Sequence, residues 1–278
     1  MEQIVQYFDT IPSLHRSLIL AGGIAFFWGI ESAAPLFRGQ YDKWQHAAIN
    51  IFFTLTTVVI NFFMAFLLVR ASEWTAATQF GLLHWLPPMP LWANMLVGLL
   101  LLDLVGAYFV HWAEHRVRWM WRFHLVHHTD PNVDTTTANR HHPGESVFRF
   151  VFTTLGAVLV GAPWWTIMAY QSLSVVLSQF NHSNINFPQW LDDTLSWVIV
   201  TPRMHRVHHH FVLPQTDTNF GNIFSIWDRL FGTFTKMDNA KIVFGIDTHM
   251  EPQEHSRLGN LLKIPFQKYR PPVGAKFQ

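Results

Sequence analysis

Three stretches of the chain are apolar for long enough to cross a bilayer, which takes about 20 residues of helix. They are 17–37 (SLILAGGIAFFWGIESAAPLF), 47–69 (AAINIFFTLTTVVINFFMAFLLV) and 91–110 (LWANMLVGLLLLDLVGAYFV), with polar interruptions at Glu31, Asn50, Asn61, Asn94 and Asp103. A fourth apolar block, 147–180, is longer than one span needs and is broken by Gly161, Ala162 and Pro163. Proline removes a backbone donor and glycine loosens the chain, so this block is expected to form a tight helical hairpin dipping into the bilayer. A kinked, tilted single helix is the competing picture. The first stretch lacks a basic leader and contains Glu31 and Pro35, so it does not read as a cleaved signal peptide.

The remainder, 181–278, is more polar and carries turn signals (TPRMH, LPQTDTNFGN, RPPVG), which predicts a cap over the membrane helices. The fold expected is an all-α integral membrane protein with four to five transmembrane or re-entrant helices. One domain over 1–278 would divide into membrane helices (1–110), a first histidine segment (111–146), the hairpin (147–180), and a second histidine segment with the cap (181–278). If the two histidine segments build one site, an even number of crossings must separate them. Basic residues agree: Arg116, Arg118, Arg122 and Arg140 lie in the first segment, and Arg203, Arg206, Arg229, Lys236 and Lys241 follow the second. Arg70 stands alone between the second and third stretches, so the positive-inside rule puts both histidine segments and the cap in the cytoplasm, with the amino terminus outside.

Composition sharpens the membrane reading. Half of the 278 residues are hydrophobic, 13% are charged, and there are 13 Trp and 25 Phe. The formal charge of +1 suggests no nucleic-acid surface. The absence of cysteine excludes disulfides, thiolate zinc sites, and cysteine-held iron–sulfur clusters or haem in this chain.

The 17 histidines are the outlying number. Twelve of them fall in HWAEH (His111, His115), HLVHH (His124, His127, His128), NRHHPGE (His141, His142) and RMHRVHHH (His205, His208, His209, His210), with His182 alone in FNHSN. Residues three and four apart share a helical face, so each HxxHH box projects three imidazoles one way and HxxxH projects two. Imidazole suits iron, zinc, copper and nickel. Eight to ten such ligands are too many for one ion and enough for two, which predicts a dinuclear, nitrogen-rich site of unspecified metal. His15, His46, His84, His249 and His255 read as isolated structural residues.

HWAEH also fits an inverted zinc-peptidase motif with Glu114 as general base. A mononuclear hydrolytic site needs three protein ligands, which would leave both HxxHH boxes without a task. Glu114 is therefore expected as a solvated or capping carboxylate. The HPG of NRHHPGE resembles a cytochrome b5 haem loop over three residues only, and no built-in electron-transfer domain is found, so reducing power must come from another protein.

HWAEH, HLVHHTD, TTANRHHPGE, FNHSNI and TPRMHRVHHH together resemble the sterol desaturase and fatty acid hydroxylase superfamily of integral-membrane oxygenases, over about 103–210. The resemblance implies a non-haem di-iron centre that binds O2, takes electrons from an external donor and hydroxylates or desaturates a lipid. Carried over by position, it implies His111, His115, His124, His127, His128, His182, His205, His208 and His209 as ligands, with His142 a tenth. Zinc can substitute for iron in such proteins. His141 and His210 are implied neighbours outside the ligand set.

Ligating imidazoles usually give their other N–H to a carboxylate or carbonyl, which nominates Asp103, Glu114, Asp130, Glu145 and Asp228 as orienting groups. For Asp103, helix packing is an equal reading. Trp112, Trp119, Trp121 and Phe123 are expected as an interfacial belt. The other function classes are the membrane zinc hydrolase and a metal-binding or transport protein. The latter should carry ionisable residues through its spans, whereas here the first three spans hold only Glu31 and Asp103 and the histidines sit at one edge. The lipid substrate is open: fatty acyl chains, sterols or other polycyclic terpenoids, ether lipids and amino-acid-containing lipids all fit.

Overall fold

The computed structural model describes residues 1–39 and 41–275; Gln40 and 276–278, the end of the single domain expected, lie outside the described residues. The helices are α1 (Glu2–Asp9), α2 (Ser13–Ala33), α3 (Lys43–Thr78), α4 (Leu82–Trp85), α5 (Leu91–Arg116), α6 (Arg118–His128), α7 (Pro143–Val160) and α8 (Trp164–His182). The tail adds α9 (Gln189–Leu195), α10 (Pro202–His208), α11 (Ile226–Leu230), α12 (Pro252–His255) and α13 (Leu258–Lys263). Among the described residues, extended structure is limited to isolated backbone bridges. Four helical stretches are long and apolar enough to cross a membrane: α2, α3 with its α4 extension, α5 and α7. The chain is an all-α membrane protein.

The side chains of α3 are arranged for lipid outside and protein inside. Leu55, Val58, Val59, Phe62, Phe63 and Phe66 are exposed, while His46, Asn50, Thr54, Ser72 and Thr75 are buried. Polar groups must find partners inside the protein because hydrocarbon offers none. Asn50 therefore bonds Thr136 and Arg140, and Glu31 of α2 accepts from the backbone and hydroxyl of Thr135 and the backbone of Asn184. The helix starts at Asp42, whose carboxylate caps the N–H groups of Trp44 and Gln45.

The apolar block 147–180 is two helices, not one kinked helix. Gly161 ends α7 in the left-handed region (φ 68°), where glycine carries no Cβ penalty. A Cβ there would also meet the Phe80 carbonyl at 2.6 Å. The pair is open, unlike the tight hairpin expected: α7 packs on α3 and α5, whereas α8 packs on α1, α2 and α5. In α5, Leu104–Phe109 is a π-helical segment. The extra residue turns the last two turns of α5 by about 100°, and so sets the face on which His111 and His115 emerge.

The tail folds back over this end of the bundle. Ile246, Leu261 and Ile264 pack with Trp121, Leu125 and Val126 of α6 and with Phe53 of α3. Near α5, 198–200 and 223–225 pair through Val200 N–H to the Ile223 carbonyl and Ser225 N–H to the Val198 carbonyl. Asp103, in the middle of α5, accepts from the N–H groups of Ile223 and Phe224 and from the Trp227 indole.

Candidate metal centre

Four helices deliver nine buried imidazoles to one place. His111 and His115 come from α5, His124, His127 and His128 from α6, His182 from the last turn of α8, and His205, His208 and His209 from α10 and the residue after it. They form two groups whose candidate ligand atoms lie within 4.8 Å of one another: His111, His115, His124, His128 and His208, and then His127, His182, His205 and His209. The groups adjoin. The His128 and His209 rings are 5.0 Å apart between centroids, and those of His205 and His208 are 5.1 Å apart.

The far side of several rings fixes the near side. His111 Nδ1 lies 2.8 Å from the Phe220 carbonyl, His208 Nδ1 2.8 Å from the Thr218 carbonyl, and His182 Nδ1 2.8 Å from the Ser178 carbonyl. A carbonyl oxygen only accepts, so these Nδ1 atoms carry the hydrogen and Nε2 is left as a lone pair. Carboxylates do the same for His124, whose Nδ1 is 2.8 Å from Glu145 Oε1, and for His115, whose Nδ1 is 3.2 Å from Asp217 Oδ1.

The ε nitrogens then face one another. His111 and His124 Nε2 are 3.2 Å apart, and His128 Nε2 is 3.2 Å from those of both His115 and His124. His205 and His127 Nε2 stand 3.0 and 3.2 Å from His182 Nε2. His111 and His124 have no hydrogen to share across their gap, so that contact is repulsive without a cation. His208 Nε2 and both ring nitrogens of His209 are buried with no hydrogen-bond partner. Nitrogens on one ion at bonds of about 2.0–2.1 Å stand roughly 3 Å apart, the spacing seen. The donor set fits nitrogen-preferring metal ions. Burial, reinforced by neighbouring imidazoles, also holds His124, His127, His128, His205, His208 and His209 well below histidine's ordinary pKa, which keeps them neutral and able to ligate.

Several expected residues stand elsewhere. His142, the tenth ligand implied, belongs to neither group: its Nδ1 accepts from Gly144 N–H as the cap of α7 and its Nε2 faces the Leu262 carbonyl. The helix start has claimed it. His210 lies outside both groups, with its Nδ1 accepting from Val243 N–H. His141 joins His124 around Glu145, at 2.7 Å from Oε1. Its Oε1 also accepts from Arg149, which holds the carboxylate in place as an orienting group for His124, while Oε2 is buried without a partner.

Glu114 is neither solvated nor a cap. It is fully buried, paired with Arg149 and 3.5 Å from His124 Nδ1. The α5 face carrying it turns onto α7, and Arg149 is what makes burial possible there. Asp130 orients no ligand: it bonds His46 at 2.8 Å and Thr137, because the chain leaves α6 toward α3. Asp103 and Asp228 act on backbone. Asp228 accepts from Phe220 and Gly221 N–H and so holds the carbonyl that orients His111. In the aromatic run, Trp112 and Trp119 are exposed, but Trp121 is buried against His115 and His128, and Phe123 packs on His142.

Sequence reasoning missed Asp217, Arg149 and the carbonyls of Ser178, Thr218 and Phe220. A carbonyl leaves no mark in sequence, and Asp217 sits in a turn-rich stretch where an acidic residue is unremarked.

A model of the family described as fatty acid hydroxylase matches residues 95–233. Over 150 residues the chain is 29% identical to an ornithine lipid hydroxylase of Rhizobium tropici, covering 54% of this chain and 44% of that protein. It is 30% identical over 151 residues to an alkylglycerol monooxygenase of Xenopus tropicalis (52% and 31% of the two chains). It is 33% identical over 163 residues to a cholesterol 25-hydroxylase-like protein of Danio rerio (54% and 56%). In each case the match covers less than two thirds of the relative's length. No solved structure matches the chain.

Proposed function

The chain belongs to the fatty acid hydroxylase family, and from that premise we propose that it is a membrane-bound oxidoreductase that inserts oxygen into, or desaturates, a C–H bond of a lipid. The two adjoining groups of five and four buried histidines carry this reading, because the lone pairs of His111 and His124 held 3.2 Å apart call for a cation between them and the His205 and His182 ε nitrogens stand 3.0 Å apart in the second group. His111, His115, His124, His128 and His208 would hold one ion, and His127, His182, His205 and His209 the second. Two iron ions bound there would supply O2 activation, with electrons from a separate electron-transfer protein.

The chain's own residues prepare the site. Phe220, Thr218 and Ser178 carbonyls and the Asp217 and Glu145 carboxylates lock ring orientation before any ion arrives. Trp121 and Phe220 wall His115 and keep water from the nitrogens. The relatives named for ornithine lipids and alkylglycerols favour a lipid with a polar headgroup as substrate. The clustered arginines and lysines favour a site facing the cytoplasm. The pairing of Glu114 with Arg149 counts against its use as the base of a hydrolase.

Purified protein reconstituted with ferrous iron should carry two irons per chain. Supplied with reductant and membrane lipid extract, it should yield products that have gained one oxygen atom or lost two hydrogens, and only when O2 is present. A single tightly held zinc, with His205, His208 and His209 dispensable, would sink the proposal.

A further inference from the structure

The tail was expected to lie wholly outside the membrane, yet one part of it docks at the depth of a span. Asp103 lies seven residues before Val110, where the apolar stretch of α5 ends. At 1.5 Å per residue that is about 10 Å inside. The contacts of Asp103 with Ile223, Phe224 and Trp227 therefore hold the tail well below that boundary. Leu100 and Leu104 pack on Trp227 and Phe220 at the same level, and Phe231 stacks on Tyr108 at 5.2 Å and meets Phe109 at 5.4 Å.

What this segment shows outward is apolar. Trp197, Val198, Ile226, Leu230 and Phe231 are 46–69% exposed, and no charged side chain in 197–200 or 220–231 is exposed. The surface continues onto Phe109 of α5. Irregular backbone survives at membrane depth only when its polar groups are satisfied internally. Several here are: Val200 and Ser225 pair across the two strips, Asp103 takes two N–H groups, and the Ser225 hydroxyl and Arg229 both bond the Ser196 carbonyl. Arg229 lies 4.3 Å from the Trp197 ring and 4.0 Å from that of Phe234, the company an arginine keeps at a membrane edge.

We propose that the strips 197–200 and 220–231 form a re-entrant membrane contact, seated among lipid chains beside α5, with Ile226, Leu230 and Phe231 as its lipid-facing residues. The occupant of the apolar patch is the bilayer, because the patch is continuous with the flank of a span and docked along it. The same segment supplies the Phe220 carbonyl to His111, so the bilayer holds part of the metal-orienting loop in register.

The chain has no cysteine, so single cysteines can be labelled without ambiguity. A fluorophore would be placed in the full-length protein in phosphatidylcholine nanodiscs at Ile226→Cys, Leu230→Cys, Phe62→Cys (77% exposed on α3) and Gln253→Cys (exposed in the cap). Labels at Ile226→Cys and Leu230→Cys should lose fluorescence to chain-labelled nitroxide lipid as Phe62→Cys does, and resist aqueous iodide. Iodide quenching equal to that of Gln253→Cys overturns the proposal. Shielding from both quenchers at either position also overturns it, since a protein neighbour would then cover the patch. Both substituted residues are exposed, and the two positions serve as independent tests should one variant fold poorly.

Discussion

His115 Nδ1 lies 3.2 Å from Asp217 Oδ1, which ties the first histidine pair to a loop 102 residues downstream. The carboxylate fixes the ring and leaves Nε2 turned toward His128, so Asp217 shapes the site without entering it. Asp217→Ala should weaken metal binding by roughly 10–100-fold, with a smaller loss for Asp217→Asn, whose amide oxygen still accepts. Competition with a chelator of known affinity measures it.

His142 and His209 separate ligand from neighbour. His142→Ala removes a helix cap and should cost about 1 kcal/mol of stability with metal content unchanged. His209→Ala should lower the metal count, because its ring belongs to the group of four. Metal analysis beside thermal melting distinguishes the two, and metal loss in His142→Ala would restore it to the ligand set.

Glu114→Gln tests the pentapeptide HWAEH from the other side. It should keep both metals and much of the activity while losing about 2 kcal/mol, since Arg149 gives up a buried charged partner but retains Glu145. His111→Ala and His115→Ala should lose metal and activity together. A metal-replete but inactive Glu114→Gln would return the carboxylate to the chemistry.

His249 gives a pH signature in the cap. Burial, aided by Arg270, lowers its pKa to about 4. The folded state then stays neutral while the unfolded chain gains a proton below its ordinary value of 6.5. Stability is complete above about pH 6.5 and falls as pH drops toward 4, by up to about 3 kcal/mol. His249→Asn should flatten that part of the curve, read as the difference between the two proteins in urea melts at pH 7 and 4.5.

Features set by period and residue type were legible in the sequence. The apolar lengths marked α2, α3, α5 and α7, and the break at Gly161 marked two helices where the block alone would have been one. The histidine spacings marked which side chains share a face, and nine of them do converge in space. Convergence differs from ligation, and metal analysis of the purified protein is the measurement that joins the two.

The sequence by itself determined the class of the fold, its helical membrane character and the supply of imidazoles, because hydropathy and helical spacing are local properties of the chain. Tertiary structure alone decided the division into groups of five and four, the removal of His142 to a helix cap, and the partners of Glu114, Asp130 and Asp103. Those outcomes depend on which distant backbone reaches each side chain. Phe220 lies 109 residues from His111, and Trp227 lies 124 from Asp103, so neither contact could be read from a local pattern. Burial favoured those carboxylates and imidazoles that found a partner among the groups the packed helices brought near.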